Sequence, residues 1–333
     1  MSQPPITVII TAYNAAQTVG RAIRSAMQSD LVASVIVMND ASTDATTSVC
    51  LAEDDGSGRL LLIENNRNRG PAASRNHALR FAHTPLVALL DADDYLIPGR
   101  FEQLLKHDGW DLIADNVCFI PEEEARGEHP VSIDTLAGEG RVRMLSLQEF
   151  ALRNIAIPHK SRGELGFLKP VFRRDLFERF ALQYDENLRL GEDFILYAQA
   201  LARGAKFMLS ESCGYVAVER ADSLSGKHRT EDLEALARAA WELTRKVPRG
   251  AHRQALIRHN RALETRARHR RLLDDKQRYG MILSLGRFVG APRYLVPVMQ
   301  AIYRDKRQQA PARVESRTRF LFGRDEFERV QAQ

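Results

Sequence analysis

Cysteine is scarce in this sequence of 333 residues, which has only Cys50, Cys118 and Cys213. The three lie far apart and form neither a Cys-x-x-Cys pair nor a zinc-binding spacing. That scarcity excludes a small disulfide scaffold, and the spacing is typical of reduced thiols. We therefore predict a cytosolic protein.

Long hydrophobic runs are also missing. No uncharged apolar run reaches the length of about 18 residues that suggests a membrane-spanning helix. The first residues, MSQPPITVII, lack the basic stretch and the long apolar run of a signal peptide, so we expect none. Hydrophobic residues make up 44% and charged residues 27%, which is ordinary for a soluble globular protein of one large or two modest domains. Collagen and disorder throughout the chain are excluded.

Acidic residues are few in the last part of the chain, although the formal net charge is only +5. Residues 1–237 carry 25 Lys and Arg against 34 Asp and Glu, a net of −9. Residues 238–333 carry 23 against 9, a net of +14. Such an asymmetry predicts a basic C-terminal region that meets an anionic surface.

The N-terminal third alternates short apolar runs with helix-like stretches. The predicted strands are residues 6–11, 35–38, 60–64 and 86–90, with helices near 16–28, from about Thr43 and from Pro71. Continuous runs of β-branched residues and Leu between helices are typical of a parallel sheet covered on both faces. We predict an α/β fold with a doubly wound, mostly parallel sheet, in which ligands bind beyond the carboxyl ends of the strands.

The rest of the chain gives weaker signals. Residues 115–165 are polar and irregular, and we predict a loop-rich region there. A helix is expected near 191–203, strands near 206–209 and 215–218, and a basic helical stretch from Glu231 to about Arg278.

Acidic residues follow the fourth predicted strand directly, in Asp91-Ala92-Asp93-Asp94. A turn after the strand would bring Asp91 and Asp93 to one ligand, and hard oxygen ligands suit Mg²⁺ or Mn²⁺ bound together with substrate phosphates. The alternative is a surface turn that caps the next helix, because Asp favours both positions. On these residues alone, both interpretations stay open.

Polar residues end two other strands. Asp40 lies in Asn39-Asp40-Ala41-Ser42-Thr43-Asp44, where Ser42 or Thr43 is expected to cap a helix. Asp40 itself could accept hydrogen bonds from a base or a ribose. The segment Thr11-Ala12-Tyr13-Asn14 closes the first strand and could offer backbone groups and a stacking ring to the same crevice. Tyr13 could equally be a packing residue.

One arginine opens the helix before the acidic strand end, in Asn68-Arg-Gly-Pro-Ala-Ala-Ser-Arg75-Asn76. The planar, always charged guanidinium of Arg75 is suited to phosphates. The alternative is a solvated arginine on the helix surface.

Taken together, these segments resemble the family 2 glycosyltransferases of the GT-A nucleotide-diphospho-sugar transferase fold. The resemblance rests on TAYNA at 11–15, NDASTD at 39–44, NRGPAASRN at 68–76 and LLDADD at 89–94, in that order. It continues through GFLKPVFRR at 166–174, LGEDFIL at 190–196 and RADSLS at 220–225, and so covers roughly residues 5–225. The chain is most similar to bacterial exopolysaccharide enzymes of the succinoglycan type.

The resemblance implies a role for each matching residue. The nucleotide pocket would be lined by Thr11, Ala12, Tyr13 and Asn14, and Asp40 would pair with the base. Arg75 would lie near the diphosphate, and Asp193 would be the general base. Asp91 and Asp93 would form the DxD element, with Asp93 as the direct ligand of Mn²⁺ or Mg²⁺. Arg220, Ser223 and Ser225 are expected to contact the diphosphate or a closing loop, or else to form a surface turn. Asn39 departs from the family, which often has a second acid there.

The reaction implied is the transfer of one hexose, glucose from UDP-glucose, to a saccharide with inversion. A cation would offset charge on the leaving diphosphate, and Asp193 would take the acceptor's proton. The position of Glu192 and Asp193 at a helix start is also explained by the helix dipole alone. We find no QxxRW element, which favours single-sugar transfer, and the family subgroup implies a polyprenyl-diphosphate-linked acceptor at the cytoplasmic face of the membrane.

We expect a GT-A catalytic domain at 1–228, with a nucleotide-sugar half at about 1–115 and an acceptor half at about 116–228, followed by a basic helical region at 229–333. Apolar and aromatic residues flanked by Arg and Lys at 281–307 suit an anionic membrane surface. A packing or dimer-forming helix pair remains open, which would make a homo-oligomer. No motif supports nucleic acid as a partner.

Other functions predict other features. A phosphotransferase using Asp91 as nucleophile would place it on the first strand, and a related nucleotidyltransferase would carry a Gly-rich basic loop where Thr11–Asn14 stands. A non-enzymatic module that binds anionic surfaces has no need of the four strand-end acids. A NAD-dependent oxidoreductase is disfavoured because no GxGxxG follows the first strand.

Overall fold

The computed structural model describes residues 3–125, 140–156, 163–219, 229–280, 292–307 and 318–323. Its elements before residue 126 are β1 (Ile6–Ala12), α1 (Val19–Met27), β2 (Val32–Asn39), α2 (Thr46–Ala52), β3 (Leu60–Glu64), α3 (Pro71–Leu79), β4 (Leu86–Asp91), β5 (Tyr95–Leu96), α4 (Arg100–Leu104), β6 (Leu112–Pro121) and α5 (Glu122–Ala125). Those that follow are β7 (Val142–Leu145), α6 (Leu147–Arg153), β8 (Val171–Arg173), α7 (Asp175–Arg179), α8 (Glu192–Ala202), β9 (Phe207–Glu219), α9 (Thr230–Lys246), α10 (Ala251–Tyr279), α11 (Leu295–Arg307) and β10 (Arg319–Phe320).

The first four strands form the parallel part of the sheet, in the order β3-β2-β1-β4. Their apolar side chains are buried, as the continuous β-branched and Leu runs predict for a sheet covered on both faces. The four predicted strands and the helix starting at Pro71 are confirmed. Because β1, β2 and β4 are neighbours and parallel, the residues that follow them lie at one edge of the sheet.

Beyond β4 the sheet is mixed. Strand β8 is antiparallel to both β4 and β6, whereas β6 and β9 are parallel. The prediction of a loop-rich region over 115–165 is wrong for residues 115–121, which belong to β6, and for 142–153, which form β7 and α6. The polar residues of β6 misled the prediction because their partners lie on other elements: Arg100 of α4 binds Asp115, and Phe322 binds Asn116.

Two predictions for the second half need adjustment. The two strand-like stretches expected at 206–209 and 215–218 are one strand, β9. The basic helical stretch expected from Glu231 is two helices, α9 and α10, with Pro248 and Gly250 between them. Residue 228 lies outside the described residues, so the domain boundary expected there stays a prediction.

The C-terminal helices share the core of the sheet. Leu236 and Ala240 of α9 and Leu256 of α10 belong to the same buried apolar cluster as the strands. Val298 of α11 and Tyr294 of the short turn before it pack on Leu272 of α10. In the described segments, no helix is long and apolar enough to cross a membrane.

Candidate active site

The loops after β1 and β2 are joined by hydrogen bonds from their own polar side chains. Asn14 adopts a left-handed backbone conformation, with φ of 50°. Its backbone N–H donates to Ser42 Oγ at 2.9 Å, and its side-chain oxygen accepts from the N–H of Thr43 at 2.8 Å. The expectation that Ser42 or Thr43 caps α2 is therefore wrong. The helix begins at Thr46, whose N–H is bound by Asp44 instead.

Tyr13 projects from the end of β1 and is 49% exposed. The alternative that it is a packing residue does not hold, because nearly half of its surface remains open to solvent. Ala12 is buried beside it, whereas Thr11 is half-buried and Asn14 is exposed. Stacking of a base on the Tyr13 ring stays a prediction.

Asp40 is buried and binds the loop that precedes α3. Its carboxylate accepts hydrogen bonds from Asn65 Nδ2 at 2.8 Å and from the backbone N–H groups of Arg69 and Gly70 at 2.9 and 2.7 Å. Its neighbour Asn39 donates to Thr47 and Glu64. Asp40 thus fixes the start of the helix that carries Arg75, and the predicted base contact remains a prediction.

The acidic segment after β4 makes a tight turn, in which Asp94 N–H donates to the Asp91 carbonyl at 3.1 Å. The Asp94 carboxylate accepts from the Tyr215 hydroxyl at 2.7 Å and from Val218 N–H at 2.9 Å. Burial, together with the nearby Asp93 and Asp91 charges, raises the pKa of Asp94 well above its ordinary value. Asp94 therefore ties the turn to β9. The turn does not cap a helix, because α4 begins only at Arg100.

Arg75 binds three carboxylates at once, and only 5% of its side chain is exposed. Its guanidinium lies 3.0 Å from Asp91, 2.8 Å from Glu192 and 3.1 Å from Asp193. Burial acts to lower the pKa of Arg75, but the three acids outweigh it and raise that pKa. The alternative of a solvated helix arginine is wrong.

Lys169 completes this group. Its ammonium lies 2.9 Å from Asp91 Oδ2 and 2.9 Å from Asp193 Oδ2, with 9% of the side chain exposed. Burial opposes ionisation of Asp91, yet Lys169 and Arg75 lower the pKa of Asp91 to about 2. We call these five residues, Arg75, Asp91, Lys169, Glu192 and Asp193, the cation-bridged cluster.

The first turn of α8 presents Glu192 and Asp193 to the cluster. Gly191 precedes them with φ of 72°, and a Cβ there would come within 2.7 Å of Leu236 on α9. Within the helix, Phe194 stacks on His259 of α10, with ring centroids 4.2 Å apart. The C-terminal helices therefore fix where α8 begins. The helix dipole favours both acids, but their buried ion pairs with Arg75 and Lys169 add direct contacts.

The structure brings together some of the predicted residues. Asp91, Asp193 and Arg75 share the cation-bridged cluster, and Asp40 is linked to it through the loop that begins α3. Arg220, Ser223 and Ser225 lie outside the described residues. Sequence reasoning gave no role to Lys169 or to the Glu192 ion pair, although both occur in the segments that carry the family resemblance.

The acids at the strand ends could supply only a few of the ligands that a metal ion needs. Within the described part of the chain, no group of three or more His, Cys, Asp and Glu side chains is placed to hold a metal ion. Both oxygens of Asp91 are already paired with cations. Asp93 is half-buried in the turn, where its carbonyl accepts from Arg21. A hard cation bound by Asp93 would need water and ligand phosphates for its other positions, which is a coordination typical of Mg²⁺.

Comparison with known proteins decides the family. The sequence model of the family described as glycosyl transferase family 2 matches residues 7–176 of this chain. The chain belongs to this family. It is 43% identical over 309 residues to the succinoglycan biosynthesis protein ExoU of Rhizobium meliloti, which covers 91% of this chain and 88% of the relative.

Solved structures of glycosyltransferases share the fold. S. aureus TarS 1–349 in complex with UDP-GlcNAc has a TM-score of 0.60 at 15% identity, covering 96% of this chain and 97% of that chain. The mannosyltransferase PcManGT from Pyrobaculum calidifontis, in complex with GDP-Man and Mn²⁺, has a TM-score of 0.53 at 18% identity, covering 92% and 89%. The predicted α/β glycosyltransferase fold of the GT-A type is thereby confirmed.

Proposed function

We propose that this family 2 enzyme transfers one hexose, glucose, from UDP-glucose to a saccharide acceptor during exopolysaccharide synthesis. The observation that carries the proposal is the cation-bridged cluster. In it, the buried cations Arg75 and Lys169 each contact both Asp193 and Asp91, the acid at the end of β4. Similarity to the succinoglycan protein supports the type of pathway. The UDP-GlcNAc complex of TarS supports a uridine nucleotide as the carrier of the sugar.

The donor would lie across the ends of β1, β2 and β4. Tyr13 offers an exposed ring to the base, and Thr11, Ala12 and Asn14 offer backbone and side-chain groups beside it. Asp93 would hold Mn²⁺ or Mg²⁺ against the diphosphate, and PcManGT with its Mn²⁺ supports this choice. When bound, the ion supplies charge stabilisation to the leaving diphosphate.

Asp193 would accept the proton of the acceptor hydroxyl. A carboxylate has about four lone-pair sites, so the contacts with Arg75 and Lys169 leave acceptor capacity on both oxygens. A base on the face of the sugar opposite the diphosphate leads to attack from that face and to inversion of the anomeric configuration.

Calorimetry tests donor class and metal dependence together. UDP-glucose, UDP-GlcNAc and GDP-mannose are titrated into the protein with Mn²⁺, with Mg²⁺ and with EDTA. We expect UDP-glucose to bind most tightly and EDTA to weaken that binding. Asp93→Ala should remove most of the metal-dependent part of the affinity. Equal donor affinity with and without the metal would contradict the role given to Asp93.

Activity tests the base. Asp193→Asn keeps the shape of the side chain and removes its basicity, so we expect transfer to fall by about 10²–10⁴-fold while UDP-glucose affinity stays close to that of the unchanged enzyme. Glu178→Gln on the exposed surface of α7 is the matched control and should transfer at the unchanged rate. Turnover by Asp193→Asn at the unchanged rate would remove Asp193 from this role.

We also propose that the enzyme acts on a lipid-linked acceptor at the cytoplasmic face of the membrane, with α11 on an anionic leaflet. Leu295, Val296, Met299 and Tyr303 form one exposed face of α11, and Val296 is 63% exposed. Val298 on the opposite face is buried against α10. The surrounding chain is strongly basic, with 23 Lys and Arg against 9 Asp and Glu over residues 238–333, which complements anionic lipid.

Flotation with phosphatidylglycerol vesicles tests this surface. The double variant Val296→Glu/Met299→Glu should stay unbound, whereas Leu51→Glu, at an exposed apolar site on α2, should float like the unchanged protein. Equal flotation of the double variant would exclude the α11 face as the anchor. The alternative outcome is that the unchanged protein does not float but forms dimers, and that the double variant is monomeric. That result would mean that the α11 face binds a second copy of the chain instead of a membrane.

A further inference from the structure

Lys169 contacts both sides of the proposed active site. Its ammonium is 2.9 Å from an oxygen of Asp91 at the end of β4, and 2.9 Å from an oxygen of Asp193 in the first turn of α8. These carboxylates belong to the predicted nucleotide half and acceptor half of the enzyme. Lys169 therefore joins the strand end that faces the donor to the proposed base, and Arg75 contacts the same two carboxylates.

The backbone that carries Lys169 is held rigidly. The Lys169 carbonyl accepts from the guanidinium of Arg100 at 2.6 Å, and the preceding carbonyl, of Leu168, accepts from the Tyr197 hydroxyl at 3.1 Å. Arg100 is itself fixed by a buried ion pair with Asp115 at 2.8 Å. The backbone at Lys169 is thus tied to α4 and α8, and its ammonium is directed at the two carboxylates.

The pairing of β8 with β4 explains the location of Lys169. These strands are antiparallel, with Ala88 opposite Val171. Following the same register past Pro170 places Lys169 beside the last residues of β4, next to Asp91. The position is thus set by the sheet, and the lysine reaches α8 from there.

Arg75 does not define the orientation of the Asp193 carboxylate by itself. It bonds to Oδ1 of Asp193 while also serving Asp91 and Glu192. Lys169 bonds to Oδ2, so the two cations together fix the plane of the carboxylate. A base must hold its lone pair toward the hydroxyl it deprotonates, which requires such a fixed plane.

We propose that Lys169 is a positioning residue that orients Asp193 for proton transfer and couples it to the donor end of β4. This inference rests on the proposed function, because it needs Asp193 to be the base. Lys169→Met removes the charge and keeps the apolar stem. We expect kcat to fall by roughly 30–100-fold, the size of effect that a displacement of about 1 Å produces, and the Kd for UDP-glucose to change by less than about threefold.

Lys206→Met is the matched control, because Lys206 is exposed immediately before β9, and we expect this variant to keep the unchanged kcat. A double-mutant cycle with Asp193→Glu separates orientation from a general structural effect. Since the longer side chain already moves the carboxylate out of the bridge, we expect Lys169→Met to cost much less in that background. An equal fold loss of kcat in both backgrounds would overturn the proposal.

Lys169→Arg covers the case in which the methionine variant does not fold. It retains the positive charge but brings a wider, planar group, so we expect a folded protein with reduced kcat and nearly unchanged donor Kd. Unchanged kcat in this variant, or a donor Kd that weakens as much as kcat falls, would contradict a positioning role. If the unchanged protein transfers no sugar from any donor, the proposed function itself fails.

Discussion

Two regions at one edge of the sheet hold their acidic side chains by different means. In the strand-end loops, residues 11–16, 39–46 and 65–70, the Asp40 carboxylate is bound by backbone N–H groups and an amide. In the cation-bridged cluster, Asp91 and Asp193 are bound by two nearly buried cations. The neutral donors to Asp40 all come from one loop, whereas each of the two cations, Arg75 and Lys169, is shared between acids on different elements.

The difference predicts unequal responses to loss of a partner. A carboxylate bound by neutral groups keeps most of its donors when one is removed. A buried carboxylate that loses its cation becomes an uncompensated charge, which is far more costly. Each prediction that follows perturbs one of the two regions, so that the measured losses of stability compare them directly.

The largest effect is expected from Arg75→Met. It leaves three carboxylates of the cation-bridged cluster with Lys169 alone, so we expect the free energy of unfolding to fall by roughly 4 kcal/mol. Arg80→Met, at the exposed end of α3, should change it by less than about 0.5 kcal/mol. Urea denaturation of both variants at pH 7 measures the difference. Equal losses would mean that the cluster behaves like a solvated surface pair.

Asp40→Asn tests the strand-end loops. The amide group replaces one accepting oxygen by a donor, so the N–H groups of Arg69 and Gly70 compete for the oxygen that remains. Hydrogen bonds to charged groups are worth about 1.5–3 kcal/mol, and we expect a loss of roughly 2 kcal/mol. Denaturation beside the exposed Asp30→Asn control measures it. A loss larger than that of Arg75→Met would reverse the comparison.

Acid should lower the free energy of unfolding through His259, which packs on the helix that carries Glu192 and Asp193. Burial against Phe194 lowers the pKa of His259 to about 4 from an ordinary value of 6.5. Because the unfolded chain binds this proton more readily, the contribution to stability is complete above pH 6.5 and is lost as pH falls toward 4. From pH 7 to 5 the loss is about 2 kcal/mol.

The variant His259→Phe removes this titration and keeps an aromatic ring beside Phe194. Between pH 7 and 5, we expect the free energy of unfolding to fall by about 2 kcal/mol less in the variant than in the unchanged protein. Replacement of the exposed His83 by Phe should leave the pH dependence as it is. Parallel pH profiles for all three proteins would show that the pKa of His259 is not lowered in the folded protein.

The sequence predicted the strands that lead to both regions but not the ion pairs of the cation-bridged cluster, and the reason is physical. Strands β1 to β4 have continuous apolar runs, and the polar residues that end them are recognisable locally. The ion pairs of the cluster join residues far apart in the chain, such as Arg75 and Asp193, which are 118 positions apart. No local pattern reports such a pair. The family resemblance identified Asp193, but it did not provide the role of Lys169.

Strand β6 shows that partners from other elements also limit the prediction of secondary structure. Its Asp115 and Asn116 give the segment a polar character that is typical of a loop, yet both are buried. Arg100 of α4 and the backbone of Phe322, which follows β10, satisfy them from other elements of the fold. Burial of a polar residue is predictable only when its partner is known, and the partner is defined by the fold.

Asn14 gives the smallest expected effect, because it combines two modest contributions in one side chain. Its left-handed backbone, with φ of 50°, disfavours alanine, and its side-chain oxygen accepts from Thr43 N–H. Both Asn14→Gly and Asn14→Ala remove the hydrogen bonds from Thr43, and only Asn14→Ala adds strain at the left-handed backbone. We expect Asn14→Ala to be less stable than Asn14→Gly by about 1 kcal/mol in urea denaturation. If the two variants are equally stable, the loop rearranges without the strain, and neutral hydrogen bonds alone do not hold this region in one conformation.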